Sequence, residues 1–212
     1  MARINEQERL AELTKCENEF WQMGIYPAGM DEVGRGPLAG PVVTCCVILP
    51  QSPLIEHIND SKKVTELRRI KLAPIIEENA IAIGYGQCSN EEIDELNILN
   101  ATKLAFKQAY FAMNHECSDV LIDAVKGLDI PARQHSIIHG DALSYLIGAA
   151  SIAAKVKRDA YMCQMAEKYP EYGFERNKGY GTAEHIAALK KYGPCPIHRA
   201  SFIGKILGGS NE

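Results

Sequence analysis

Asp31 and Glu32 are adjacent carboxylates at the end of a short apolar approach, and Val33-Gly34-Arg35-Gly36-Pro37-Leu38-Ala39-Gly40-Pro41 follows them at once. An acidic pair suits a hard divalent cation, whose preferred ligands are oxygens. Glycines let a backbone come close to a ligand, and a guanidinium meets phosphate with a fork of donors. Metal and phosphodiester are therefore the first chemistry these residues suggest. The plainer reading is a solvated strand end followed by a hairpin turn. The turn does not match a nucleotide-binding loop, because no Gly-Lys-Ser/Thr follows at the required spacing.

Two more carboxylates close short apolar runs: Asp123 ends Asp119-Val120-Leu121-Ile122-Asp123, and Asp141 ends Ser136-Ile137-Ile138-His139-Gly140-Asp141. In an α/β sheet the carboxyl ends of strands converge on one rim. Asp31, Asp123 and Asp141 are thus candidates for one cluster. Glu32 is harder to place, since consecutive side chains on a regular strand point to opposite faces. It joins the others only if the strand bends or ends there, or if it acts through its backbone carbonyl or an outer water.

The elements that must position these acids can be read from periodicity. Residues 3–23 predict an amphipathic helix with Ile4, Leu10, Leu13, Phe20 and Trp21 turned inward. Residues 28–33 and 41–49 predict two strands joined by a Gly/Pro turn, an antiparallel pair. A helix to about Asn79 follows Asp60-Ser61, then a strand over 80–88. A long helix runs from a Ser89 or Asn90 cap to about Asn114, with Glu91 and Glu92 in its first turn. For Glu92, Asp94 and Glu95 the helix dipole is a sufficient explanation. From Ala142 to about Tyr169 the pattern is a helix whose Gly148–Ala154 stretch, rich in small residues, suggests close packing on the sheet. A loop carrying Lys178-Gly179-Tyr180-Gly181-Thr182, a helix at 183–192 and a Pro-punctuated tail through His198-Arg199 complete the chain.

Composition sets the bounds. The chain has 212 residues, 46% hydrophobic and 24% charged, enough for one α/β domain with an appendage. No leader-like apolar core is expected in residues 1–20, and no stretch approaches the ~20 apolar residues of a membrane span. Seven scattered cysteines without Cys-x-x-Cys argue against a disulfide framework or structural zinc. A cytoplasmic setting is expected, each cysteine serving as a small buried hydrophobe. The net charge of −4 is unevenly spread: residues 1–150 hold 13 Lys and Arg against 21 Asp and Glu, whereas residues 151–212 hold 10 against 6. A basic final third can face a polyanion while the acidic part holds cations.

Several segments taken together resemble bacterial ribonuclease HII. They are Asp-Glu-Val-Gly-Arg-Gly-Pro-Leu-Ala-Gly-Pro-Val at 31–42, Asp-Ser-Lys-Lys at 60–63, Glu-Ile-Asp-Glu-Leu-Asn-Ile-Leu at 92–99, Gly-Asp at 140–141, Ala-Ala-Ser-Ile-Ala-Ala-Lys-Val at 149–156, Arg-Asp at 158–159 and Lys-Gly-Tyr-Gly-Thr at 178–182. The match runs in order from residue 28 to about 204. One departure is Asp123-Ala124, where many family members have Asp-Gly.

The resemblance implies a ribonuclease H-like α/β fold, a central mixed five-stranded sheet flanked by helices. A single domain over 1–212 is expected, with an N-terminal helix at 1–24 and a helical C-terminal appendage from about 170. It implies cleavage of the RNA strand of RNA–DNA hybrids and incision 5′ of ribonucleotides embedded in duplex DNA, leaving 3′-hydroxyl and 5′-phosphate ends. Asp31, Glu32, Asp123 and Asp141 correspond to the family's acidic set, expected to hold two Mg2+ or Mn2+ ions. Gly34, Arg35 and Gly36 are assigned to the ribose 2′-hydroxyl, the group that separates RNA from DNA, and Tyr180 to the sugar at the junction. Lys62, Lys63 and Lys178 are plausible phosphate contacts. His198 and Arg199 either meet the duplex or tie down the tail, and His139 makes an ordinary strand-end hydrogen bond.

Two other classes stay in view. A noncatalytic hybrid binder would gain from losing carboxylates that face phosphates. Another two-metal nuclease would share the acidic cluster but lack Lys178–Thr182. Ribonuclease HIII, the near relative, is expected to carry an additional N-terminal domain, for which 27 residues before Ala28 are too few. A monomer with no membrane partner is expected.

Overall fold

The structure, a computed structural model, describes residues 5–208. Ile4 and the tail beyond Gly208, where the sequence shows no aromatic anchor for a partner, lie outside the described residues. Five strands form one mixed sheet: β1 (Ala28–Val33), β2 (Val42–Ile48), β3 (Ala82–Cys88), β4 (Asp119–Asp123) and β5 (Arg133–Ile137), in the spatial order β3-β2-β1-β4-β5. β1 pairs antiparallel with β2, with Asp31 opposite Cys45 and Glu32 opposite Thr44. On its other edge β1 runs parallel to β4, but only from Ala28 to Met30.

Helices cover both faces, which is why every residue of β2 is buried and reads as an unbroken apolar run. One face carries α7 (Tyr145–Lys168), whose small residues let it lie close on β1, together with α3 (Glu66–Asn79) and the N-terminal helices. A side chain at Gly29 would collide with Leu146, so the fit is backbone to backbone. The other face carries α5 (Ile98–Ala112), and side chains at Gly84 or Gly86 of β3 would run into its carbonyls.

The expected helices are present but more broken. The first is two, α1 (Glu6–Leu13) and α2 (Lys15–Trp21), with Leu10, Leu13 and Trp21 buried. The long helix after β3 is also two, α4 (Asn90–Leu96) and α5. Asn97 adopts φ 65° between them, its side chain capping α5 by accepting from the Leu99 and Asn100 N–H groups. The Ser89 cap is a full capping box with Glu92. Asp94, by contrast, accepts the Ala200 and Ser201 N–H groups of α10 (Ala200–Ile203), so it caps a distant helix rather than serving its own dipole.

After α7 the chain makes a 3-10 turn (Pro170–Tyr172), then α8 (Phe174–Asn177) and α9 (Ala183–Tyr192), which pack as a separate small core on the end of α7. Cys45, Cys46 and Cys88 are buried as expected, whereas Cys163 is exposed. Among the described residues no helix is long and apolar enough to cross a membrane.

Candidate active site

Asp31, Glu32, Asp123 and Asp141 line one cleft of about 500 Å3, together with Gly34, Arg35, Gly36, Lys62 and Tyr180. Asp31 and Asp123 come from the carboxyl ends of parallel β1 and β4. Glu32 lines the same cleft, on the part of β1 that continues past its last pairing with β4 at Met30–Ile122. Asp141 does not close a strand. β5 ends at Ile137, His139 turns the chain in the left-handed region at φ 59°, and Asp141 sits in the one-turn helix α6 (Gly140–Leu143). The His139 side chain makes no cap bond to that turn, whose Ala142 N–H donates to the His139 carbonyl at 3.0 Å.

Burial and mutual repulsion dominate the electrostatics. Asp31 is 5% exposed, and burial together with the charges of Glu32 and Asp123 pushes its carboxyl well above the ordinary range, against the nearby Ser151 hydroxyl. Burial also raises Glu32, although Arg35 Nη1 lies 3.3 Å from its Oε1. Burial and the charge of Asp60 raise Asp141, opposed by Lys62, whose Nζ is 3.4 Å away. Asp123 Oδ1 accepts the Gly140 N–H at 2.9 Å.

Each acid thus has a local partner. Consistent with that, no three acidic, histidine or cysteine side chains among the described residues are drawn together tightly enough to enclose one ion as they stand. The donor set nonetheless fits a hard cation: it is all oxygen, it is charge-crowded, and Glu32 Oε2 is buried without a hydrogen-bond partner.

Two arginines shape the cleft mouth: Arg158, quoted from the sequence only within a motif, and Arg199, left between meeting the duplex and tying down the tail. Arg199, fully buried, donates from Nη2 to Gly34 O at 2.6 Å, from Nη1 to Arg35 O at 3.0 Å and from Nε to Gly40 O at 3.0 Å. Arg158, also fully buried, donates to the carbonyls of Pro41, Ala39 and Lys178. Neither is paired with a carboxylate; both donate to backbone carbonyls. Together they bind the Gly34–Pro41 turn to the Lys178–Tyr180 loop. Gly34, at φ 95°, lies against the Arg158 guanidinium, where any side chain would collide.

Tyr180, 41% exposed, stands at the mouth with Lys155 Nζ 5.8 Å from its ring centre. Its carbonyl accepts from His185 Nδ1 at 2.9 Å, which makes His185 Nε2 the acceptor for His198 Nε2 at 3.0 Å. His198 Nδ1 in turn accepts the Cys195 N–H at 2.9 Å. His198 and Arg199 therefore tie down the tail and the turn rather than facing a duplex.

Lys178 is not brought to the cleft. It is buried, its Nζ donating to Glu175 O at 2.6 Å and lying 3.2 Å from Cys163 Sγ, so a phosphate contact is not available to it in this position. Lys63 also lies outside the cleft lining, 3.9 Å from Asp60. Ser61, Arg69, Ser151 and Lys155 line the cleft without having been singled out from sequence. Their signal lay in register: Ser151 and Lys155 are one turn apart on α7, and the Ser151 hydroxyl donates to the Ser61 Oγ at 2.8 Å.

The ribonuclease HII family profile matches residues 28–205. The chain belongs to the ribonuclease HII family. It is 51% identical over 205 residues to the ribonuclease HII of Caldanaerobacter subterraneus subsp. tengcongensis, covering 96% of this chain and 85% of that protein. With the ribonuclease HII of Acetivibrio thermocellus it shares 54% identity over 198 residues, 93% of this chain and 77% of the relative. Among solved structures, the ribonuclease H2 from Pyrococcus horikoshii OT3 matches with a TM-score of 0.70 at 26% identity, over 86% of this chain and 97% of the other. The ribonuclease HII segment so matched contains all four cleft carboxylates, both buried arginines and Tyr180.

Its Asp123-Ala124 step has a visible cost. Ala124 adopts φ 51°, the left-handed region that glycine occupies freely, while its N–H donates to Ile137 O at 3.1 Å.

Proposed function

We infer that this chain is an endoribonuclease that cleaves the RNA strand of RNA–DNA hybrids and incises 5′ of ribonucleotides embedded in duplex DNA. The observation that carries this reading is the convergence of Asp31, Glu32, Asp123 and Asp141 on one cleft whose mouth is formed by Gly34–Gly36 and Tyr180. Asp31, Glu32, Asp123 and Asp141 would hold Mg2+ or Mn2+. Two such ions supply Lewis-acid charge to the phosphodiester and lower the pKa of an attacking water.

The chain's own residues account for selectivity. Gly34 and Gly36 let the backbone approach a ribose, where a 2′-hydroxyl gains hydrogen bonds that deoxyribose lacks. The Tyr180 ring gates the neighbouring sugar. Lys62, Arg69 and Lys155 offer positive charge to phosphates along the cleft, and such contacts position a duplex without reading its bases. Binding is therefore sequence-tolerant and weakens with salt. A noncatalytic binder is disfavoured, since four carboxylates facing a phosphodiester repel it unless cations are present. We place the protein in the cytoplasm as a monomer that removes ribonucleotides from DNA.

The test is nicking of a duplex with one embedded ribonucleotide, with and without Mg2+ or Mn2+. The wild-type chain should leave 3′-hydroxyl and 5′-phosphate ends only with metal. Asp31→Asn should abolish cleavage while hybrid binding survives, and retained cleavage would remove Asp31 from the catalytic set.

A further inference from the structure

Glu17 lies on α2, outside the segment that the family profile covers, yet it is completely buried. Its Oε1 accepts the Ser144 hydroxyl at 2.5 Å and the Leu146 N–H at 3.0 Å, while its Oε2 is buried with no partner. A fully buried carboxyl with an orphaned oxygen is costly. Capping alone does not require it, because Ser144 already caps α7 by accepting the Ile147 N–H at 3.2 Å. What Glu17 adds is a tie between α2 and the corner where α6 turns into α7.

That corner carries an acidic residue of the cleft. Ser144 donates its N–H to Gly140 O at 2.8 Å, and Gly140 donates its N–H to Asp123 Oδ1 at 2.9 Å. Asp141, next to Gly140, has its carbonyl pressed against Gly148 of α7, so closely that a side chain there would stand 3.2 Å from it. Glu17, Ser144, Gly140 and Asp123 thus form one continuous line of hydrogen bonds, with Asp141 held on it by backbone packing.

We propose that Glu17 is a positioning residue for the cation site: acting through Ser144, it holds α6 so that Asp123 and Asp141 present their carboxylates to one ion. The proposal rests on the divalent-metal reading of the cleft. Outer residues that orient ligands typically change metal affinity by about 10- to 100-fold when removed.

The experiment is Mn2+ binding to the full chain by titration calorimetry, with steady-state cleavage of a hybrid alongside. Glu17→Ala should weaken Mn2+ binding about tenfold and lower kcat at limiting Mn2+, with KM for the hybrid unchanged and kcat restored by excess Mn2+. Glu17→Gln, which keeps an accepting oxygen, should restore affinity to within about threefold. Met113→Ala, in the core on the opposite face of the sheet, destabilises the protein without touching this line and should bind Mn2+ as the wild type does.

An unchanged isotherm for Glu17→Ala, or an equal loss in Met113→Ala, would overturn the proposal. Should Glu17→Ala not fold, Ser144→Ala is measured instead, and unchanged affinity there overturns it equally. A wild-type chain that takes up no Mn2+ would overturn the metal reading itself, and this proposal with it.

Discussion

Replacing Arg199 by methionine separates the stability of the fold from the shape of the cleft. The substitution leaves the carbonyls of Gly34, Arg35 and Gly40 without their donor. At about 1–3 kcal/mol for each orphaned buried acceptor, the loss is about 6 kcal/mol at the centre of the range. Against it stands the cost of the buried charge. Burial and the neighbouring charge of Arg158 push the Arg199 guanidinium down from its ordinary value to about 9, which corresponds to about 5 kcal/mol of disfavour for the charged form.

The two effects nearly cancel, so Arg199→Met should lose only about 1 kcal/mol, a Tm shift of about 2–4 °C for a chain of this size. The Gly34–Gly36 turn, however, would no longer be fixed to the sheet. A misplacement of about 1 Å at a reacting centre costs about 100-fold in rate, and that is the expected loss in incision at a lone ribonucleotide. Thermal unfolding and single-turnover incision of the same preparation check both halves. A variant that loses more than about 5 kcal/mol would show that the hydrogen bonds outweigh the buried charge. Full activity with a small Tm shift would show that the turn needs no anchor.

Tyr180→Ala should reduce single-ribonucleotide incision at least about tenfold more than cleavage of a continuous hybrid, since about 1.4 kcal/mol of selective contact is a tenfold effect; equal losses in parallel assays would reduce the ring to packing. Ala124→Gly should relieve about 1–2 kcal/mol of left-handed strain against about 0.5–1 kcal/mol of added chain entropy, and urea unfolding should show a small net stabilisation. His198 is held neutral: burial, with the charge of His185 beside it, pushes its pKa down from 6.5 to about 4. Its stabilisation is complete above the unfolded pKa of 6.5 and declines as pH falls toward 4, because only the unfolded chain then takes up the proton. Stability should drop by about 2 kcal/mol from this group between pH 7 and pH 5, a slope that denaturant melts at the two pH values should find reduced in His198→Gln.

Local signals in the chain were good guides where one residue type served one purpose. Ser89 with Glu92 announced a helix start and made one, and the β-rich apolar run through residues 42–48 marked a strand, which the structure buries throughout. Asp31, Asp123 and Asp141 were readable as one cluster from apolar runs that close on a carboxylate, whereas Glu32 joined them only through the family resemblance. Harder to read was anything that depends on a partner far along the chain. Asn97 looked like an ordinary helical residue, yet its side chain caps the next helix and splits the run in two. Lys178 sits in a motif that suggests phosphate, but its neighbours on α7 and α8 close over it. Arg158 and Arg199 are charged residues that composition assigns to the surface. Their burial follows from loops whose carbonyls need donors, and a linear reading has no view of those carbonyls. Asp141 was placed in the right cluster by an argument about strand ends, although the structure supplies it from a helical turn.

The Gly34–Gly40 turn at the cleft mouth is held by a guanidinium 159 to 165 residues later in the chain. Such a closure cannot form early in synthesis. At about 5–20 residues per second, the Gly34–Gly40 carbonyls emerge roughly ten to thirty seconds before Arg199 does. α4 waits as well, since its Asn90 and Asp94 hold the Pro196–Ser201 segment in place. Through that interval the sheet and its acids can assemble while the mouth above them stays unformed.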